Sequence, residues 1–219
     1  MGIRSLQIHI STLIRSKRKI FGIGLNKTGT TSLGKALSDL GYHVAPQQEG
    51  EILFADVIEG RMNKLKTYCR KYEAFQDIPF SMPGFYKKLY ALYPNARFIL
   101  TTRNNSDVWY KSLTEFHSRV FNNGNGIPNK DDLLASNYIY KGYAYESIVK
   151  LFGAELYNEK FYKAIYDQHI EDVSNFFDGK PNCKTLNISE PNSYLEMCDF
   201  LGVNPKSKVF PHVNKMNDN

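Results

Sequence analysis

The sequence is most strongly constrained by a glycine-rich segment, "FGIGLNKTGTTSLGKALSDLGY", at residues 21–42. The apolar run "KIFGIGL" (19–25) predicts a buried strand, and the helical spacing of apolar residues up to Gly41 predicts a helix. A loop between a buried strand and a helix directs backbone N–H groups and the positive end of the helix at one point. The segment therefore predicts a binding site for a tetrahedral anion.

Strands and helices alternate along the rest of the chain. Two further buried strands are predicted at "ARFILTTR" (96–103) and "CKTLNIS" (183–189). Helices are predicted at 61–75, 84–94, 106–121, much of 133–177 and 193–203. Ser106 is the predicted N-cap of the helix at 106–121, and a capping box from Ser193 to Glu196 is predicted to open the last helix. A surface loop is predicted at 122–132. This alternation predicts an α/β protein with a three-layer P-loop-type fold, in which helices flank a central parallel sheet. We expect one domain over 1–219, with 1–19 as an N-terminal extension.

The composition disfavours several classes of protein. No apolar run approaches the roughly 20 residues that a membrane span requires, so we expect no stable membrane insertion. The three cysteines form no CxxC pair, which argues against a disulfide framework or a zinc site and for a reducing, cytoplasmic location. The net charge of +6 favours anionic ligands, but the basic residues are dispersed and no nucleic-acid-binding module is present. We therefore expect no nucleic-acid partner.

For the amphipathic segment 3–19, a packed terminal element is favoured over membrane contact.

The glycine-rich loop departs from the pattern that binds nucleoside triphosphates. Gly24 and Gly29 have the spacing of that pattern, but Thr30 stands in the place of its lysine, and Lys27 lies inside the loop. The next predicted strand ends in Arg103, where a magnesium-binding aspartate would be expected. We therefore predict a phosphate site that requires no metal and has Lys27 as its cation. Further donors to the anion are predicted from Thr28, Gly29, Thr30, Thr31 and Ser32.

Four blocks of the sequence resemble the sulfotransferases that depend on 3′-phosphoadenosine 5′-phosphosulfate (PAPS), particularly their bacterial P-loop branch. The blocks are "GIGLNKTGTTSL" (22–33), "QDIPF" (76–80), "YPNARFILTTRNNSDVWYKSL" (93–113) and "LNISEPNSYLEMCDFLGVNPKSKVFPHVNK" (186–215). They follow the order of that family and span nearly the whole chain. Only the N-terminal residues and the 114–160 region have no counterpart.

The resemblance implies a role for each of several residues. The loop from Lys27 to Ser32 would hold the 5′-phosphosulfate of the donor, with Lys27 neutralising the bridging oxygen as the sulfuryl group leaves. Arg103 and Ser112 would grip the 3′-phosphate, although Ser112 lies one residue further from Arg103 than is usual in the family. The C-terminal "FPHVNK" segment would fold back towards the nucleotide and contribute His212 and Lys215. The product would be 3′,5′-adenosine bisphosphate.

The base that deprotonates the acceptor is predicted from "QDIPF". Family members place a histidine or a carboxylate two residues before a proline in a strand-to-helix turn, and Asp77 has that position here. The alternative is a structural role, in which Asp77 caps a nearby helix or braces Lys27. His169 in "YDQHIEDV" also fits a family pattern, but a histidine on an amphipathic helix is more often structural.

The region 114–160 is the expected acceptor side of the protein. Its Asn/Gly loop would act as a lid, and the tyrosines of "NYIYKGYAY" would either stack on an acceptor or pack in the core. A glycan or saccharide hydroxyl is the favoured acceptor, with a small alcohol or phenol as the alternative.

Two other functions stay open: a P-loop kinase of a small metabolite that uses ATP, and a non-catalytic nucleotide-binding protein.

Overall fold

The computed structural model describes residues 18–211, and four parallel strands form one sheet in this part of the chain. The strands are β1 (Ile20–Gly22), β2 (Ala74–Phe75), β3 (Arg97–Thr102) and β4 (Cys183–Asn187). Their order across the sheet is β2-β1-β3-β4. In the central register, Phe21 of β1 lies opposite Phe75 of β2 and Phe98 of β3. The prediction of an α/β fold with a central parallel sheet is confirmed.

Ten helices surround the sheet within the described residues. They are α1 (Thr30–Asp39), α2 (Gln47–Glu51), α3 (Phe54–Ile58), α4 (Met62–Lys71), α5 (Phe85–Leu92), α6 (Ser106–Phe121), α7 (Lys130–Ala135), α8 (Tyr143–Phe152), α9 (Glu159–Phe177) and α10 (Ser193–Leu201). None of these helices is long and apolar enough to cross a bilayer.

Both faces of the sheet are covered because its strand residues alternate between two cores. On one face, Ile20 and Ile99 pack with apolar residues of α1 and α10. On the other face, Phe21, Phe98 and Leu100 pack with residues of α4, α5 and α9. Strands that are buried on both sides read as continuous apolar runs, which is why the sequence predicts β1 and β3 directly.

A third apolar cluster joins α6, α8 and α9 to the glycine-rich segment after β1. Trp109, Leu113, Tyr143, Ile148 and Tyr166 belong to this cluster, together with Leu25 at the start of the glycine-rich loop. Helix α8, from the region without a family counterpart, therefore shares one apolar cluster with the glycine-rich loop.

The structure corrects three details of the predicted elements. The helix expected at 61–75 ends at Lys71, and the following Ala74–Phe75 pair forms edge strand β2. The N-cap of α6 is Asn105, whose side chain accepts a bond from the Val108 N–H, and not Ser106. No capping box opens α10, because the Ser193 hydroxyl donates to the Glu190 carbonyl at 2.7 Å.

Candidate functional site

The glycine-rich loop, residues 23–29, leaves the carboxyl end of β1 and enters α1. A Cβ added to Gly24 would lie 2.2 Å from Thr101 Oγ1 and 2.3 Å from the Thr101 carbonyl oxygen, so the loop lies directly on β3. Gly29 is the N-cap of α1 and has a φ of 98°, a conformation that only glycine adopts without strain. Each glycine of the predicted pair therefore meets a different backbone requirement.

The first turn of α1 is open to an anion. It contains no acidic residue, and Gly29 provides no side-chain cap, so the N–H groups of the first turn remain for a ligand. Thr31 is exposed there and Ser32 is buried. The Thr28 hydroxyl, in contrast, donates to the Leu25 carbonyl at 2.6 Å and stabilises the loop itself.

Lys27 lies within the loop, as the sequence predicts, and has a left-handed φ of 69°. Its ammonium is 3.6 Å from the centre of the Phe116 ring on α6. Burial lowers the pKa of Lys27 to about 8; the Asp77 carboxylate acts to raise it, while the charges of Arg103 and Arg119 lower it further. The loop thus brings several charged groups near one ammonium.

Arg103 follows β3 and connects it to the loop. Its Nε donates to the Lys27 carbonyl at 2.8 Å, and its backbone N–H donates to the Tyr166 hydroxyl at 2.8 Å. Within residues 18–211, no hydrogen bond uses its two terminal nitrogens. These nitrogens leave a guanidinium fork that matches the oxygens of a phosphate.

Asp77 lies after β2, on the other side of the loop from Arg103. Its Oδ1 accepts from the Asn26 side-chain amide at 2.7 Å, and its Oδ2 accepts from the Thr30 hydroxyl at 2.9 Å. The side chain is 6% exposed, and burial raises its pKa, with the bonds from Thr30 and the Ile78 N–H and the charge of Lys27 acting in the opposite direction. Asp77 therefore connects the middle of the loop to the first residue of α1, and its raised pKa makes it a stronger proton acceptor.

Helix α6 presents one face to the loop. Ser112, Phe116 and Arg119 have the spacing of neighbours on a helix surface, and Phe116 is the ring that Lys27 contacts. Trp109, one turn before Ser112, is fully buried and stacks on Tyr166 with ring centres 4.8 Å apart. Trp109 therefore packs in the core. Its indole N–H also donates to the Asn26 carbonyl at 2.8 Å, a loop contact that the sequence does not reveal.

Of the remaining predicted site residues, the structure describes only His169. His169 is 3% exposed, and its Nε2 lies 2.8 Å from the Ile23 carbonyl, which supports the structural interpretation. His212 and Lys215 lie outside the described residues, so their roles stay predictions.

The comparison with protein families decides what kind of protein contains this site. A model of the sulfotransferase domain matches residues 19–219. The chain belongs to this sulfotransferase family. A crystal structure of a sulfotransferase from Alicyclobacillus acidocaldarius is similar in fold, with a TM-score of 0.57 and 19% identity over 93% of this chain and 88% of that chain. No curated protein matches this sequence.

The sulfotransferase has a second group of polar residues near Asp77 that the sequence did not reveal. Glu51, the last residue of α2, is 3% exposed, and its Oε1 accepts from the Gln47 side chain at 3.0 Å. Burial raises the pKa of Glu51 to about 7, and the charge of Asp77 contributes to the increase. The Tyr138 hydroxyl faces the same carboxyl group, and the charge of Glu51 also helps to raise the pKa of Tyr143. Among the described residues, no group of three or more His, Cys, Asp or Glu side chains is arranged to hold a metal ion.

Proposed function

We propose that this sulfotransferase transfers a sulfuryl group from PAPS to a hydroxyl group of a carbohydrate or another small hydroxylated molecule. The observation that carries the proposal is the bond from Arg103 Nε to the Lys27 carbonyl, because it holds the Arg103 guanidinium against the loop that contains the Lys27 cation. A nucleotide with phosphate groups at both the 5′ and the 3′ positions requires two separated cationic contacts of this kind.

The residues of the loop fit the donor. The N–H groups at the start of α1 would bind the 5′-phosphosulfate, with Thr31 and Ser32 nearby as hydroxyl donors. The terminal nitrogens of Arg103 would bind the 3′-phosphate, with Ser112 on the facing helix, and His212 and Lys215 would add contacts from the C-terminal segment. We propose no metal requirement, because Lys27 supplies the positive charge at the bridging oxygen.

The proposed reaction is a single in-line transfer. The acceptor oxygen forms a bond to sulfur while the bond from sulfur to the bridging oxygen breaks, and the acceptor proton moves to Asp77. Negative charge then collects on the phosphate of the leaving adenosine bisphosphate. Lys27 stabilises that charge, and electrostatic stabilisation of this kind is commonly the largest catalytic contribution.

The compartment and the partners follow from the same proposal. Cys69, Cys183 and Cys198 are all unpaired, which supports a reducing, cytoplasmic location. The acceptor would approach through the 114–160 region, where a cavity of 410 Å³ lies between the end of α6, the Asn/Gly loop and α7. We propose neither a nucleic-acid partner nor stable membrane insertion.

The experiment that tests this function compares nucleotides by thermal denaturation. A ligand that binds only the native state raises the melting temperature, so 3′,5′-adenosine bisphosphate is expected to stabilise the protein more than ATP with Mg²⁺. Stabilisation by ATP with Mg²⁺ alone would favour the kinase. Transfer of labelled sulfate from PAPS to a panel of hydroxylated acceptors is the second measurement. Binding of the bisphosphate without any transfer would favour the non-catalytic binding protein.

A further inference from the structure

Several buried polar atoms near Asp77 have no hydrogen-bond partner within residues 18–211. Two of them are Oε2 of Glu51, a residue that is 3% exposed, and the hydroxyl of Tyr143, which is 2% exposed. Leaving such a group unsatisfied costs about 1–3 kcal/mol, and more when the group is charged. Few buried polar groups in native proteins are left in this state. A ligand hydroxyl group bound between these two residues would complete the hydrogen bonds of both atoms.

Both residues belong to segments that pack near the proposed base. A Cβ added to Gly50, the residue before Glu51, would lie 3.2 Å from the carbonyl oxygen of Ile78, which follows Asp77. The ring centre of Tyr143 is 5.8 Å from that of Phe54, three residues after Glu51. The charges of Glu51 and Asp77 both act on the Tyr143 hydroxyl, and the charge of Asp77 acts on Glu51. Glu51 lies at the end of α2, Asp77 in the segment after β2, and Tyr143 at the start of α8. The fold therefore gathers them from three separate parts of the chain.

Tyr138 connects this group to solvent. Its ring centre is 6.1 Å from that of Tyr143, its hydroxyl faces Glu51, and it lines the cavity of 410 Å³ described above. Tyr138 therefore borders both the cavity and the Glu51 carboxyl group.

We propose that Glu51 and Tyr143 form an acceptor subsite, which hydrogen-bonds a second hydroxyl group of the acceptor beside the one that Asp77 deprotonates. This inference rests on the proposed function. A carboxylate oxygen accepts a hydrogen bond and a phenol can donate one. Together they match a hydroxyl group of the acceptor, which both donates and accepts hydrogen bonds. No described basic side chain pairs with Glu51, so a phosphate or carboxylate of an acceptor would be repelled if it lay against the Glu51 carboxylate. The subsite thus selects neutral molecules with several hydroxyl groups, such as saccharides and polyols.

The test compares acceptors of different chemistry in Glu51→Gln and Tyr143→Phe variants. The acceptors are methyl β-glucopyranoside, which is neutral with several hydroxyls, 2-naphthol, which has one, and glucose 6-phosphate, which is anionic. Wild-type protein is expected to prefer the methyl glucoside. Each variant should raise KM for the methyl glucoside about tenfold or more, with little change for 2-naphthol. Stabilisation by 3′,5′-adenosine bisphosphate should be unchanged.

Matched controls are Glu49→Gln, an exposed neighbour on α2 that bonds Tyr72, and Tyr145→Phe, on the same helix as Tyr143. Both controls should keep the wild-type preference. The inference is overturned by a wild-type preference for 2-naphthol or for glucose 6-phosphate. It is also overturned if the Glu51 and Tyr143 variants lose transfer to all acceptors equally. The same holds if these variants transfer sulfate to every acceptor as well as the wild-type protein does. Failure of the bisphosphate to stabilise wild-type protein would instead contradict the proposed function itself.

Discussion

The Lys27 ammonium lies 3.6 Å from the centre of the Phe116 ring, so the cation of the glycine-rich loop contacts an aromatic face of α6. Such a contact is worth about 0.5–2 kcal/mol, depending on how far the cation is removed from water. Together with the left-handed backbone of Lys27, it orders a side chain that would otherwise be free in solvent. Less entropy is then lost when the lysine acts on a bound anion.

Replacing Lys27 by alanine should lower the turnover of sulfate transfer at least about a hundredfold, which corresponds to about 2.7 kcal/mol of activation free energy. The reason is that the charge on the leaving group is no longer neutralised in the transition state. Transfer of labelled sulfate at saturating donor and acceptor measures this change. The control is Lys35→Ala on α1, which removes an exposed ammonium paired with Asp39. Unchanged turnover in Lys27→Ala would remove Lys27 from the mechanism.

The pKa of Lys27 near 8 predicts a loss of activity at alkaline pH. The ammonium is charged below this pKa and neutral above it, so kcat/KM for the donor should fall as pH rises through about 8. Arginine keeps its charge throughout this range of pH. The kcat/KM of Lys27→Arg should therefore stay constant where the wild-type value declines, whatever the absolute activity of the variant. A decline at the same pH in both proteins would assign the titration to another group.

The loop and Arg103 could be predicted from the sequence because both depend on local patterns. The strand-to-helix loop has its glycines at the positions that the backbone requires, and Arg103 follows the strand next to β1. The carboxyl ends of adjacent parallel strands meet at one edge of a sheet, so residues that follow them come together.

Other parts of the site depend on contacts between distant segments. Strand β2 has only two residues, too few for an alternating pattern, and its sequence continues the helical pattern of α4. Glu51 lies in the polar stretch "QQEGE", where nothing local indicates burial. At the start of α6, Asn105 and Ser106 are both good N-cap residues, so an error of one position is expected there.

Replacing Arg103 by lysine should weaken binding of 3′,5′-adenosine bisphosphate by about ten- to a hundredfold, because lysine cannot present two parallel donors to a phosphate. The change also removes the bond from Nε to the Lys27 carbonyl, which fixes the loop. Titration calorimetry with the bisphosphate measures the loss. Arg97→Lys is the matched control, since Arg97 lies at the opposite end of β3 and bonds the Pro181 carbonyl. Equal affinities for wild type and Arg103→Lys would place the 3′-phosphate elsewhere.

Replacing Asp77 by asparagine should lower sulfate transfer by about 10²–10⁴-fold, the usual range for loss of a general base, while bisphosphate binding persists. Transfer assays and thermal shifts with the bisphosphate separate these two effects. Full transfer in Asp77→Asn would restrict Asp77 to bracing the loop.

The bond from Thr30 to Asp77 provides a second test of the same base. It acts to lower the pKa of Asp77, so Thr30→Val should raise that pKa. The carboxylate is the active form, so the acid limb of the activity profile should move to higher pH. Thr67→Val on α4 removes a helical hydroxyl that bonds only the Asn63 carbonyl, and it should leave the profile in place. A profile that stays unchanged in Thr30→Val would show that another group is the base.

Replacing Gly24 by alanine should destabilise the protein by at least about 3 kcal/mol, the upper range for forcing extra atoms into a packed core. The new Cβ would meet the Thr101 backbone oxygen at 2.3 Å, and β1 and β3 cannot separate without breaking their pairing. Gly34→Ala is the matched control, because its Cβ would make only an ordinary contact, 3.4 Å from the Gln76 side chain. That change lies inside α1 and should be neutral or stabilise by up to about 1 kcal/mol. Equilibrium unfolding in urea measures both values, and similar stabilities for the two variants would disprove the close approach of the loop to β3.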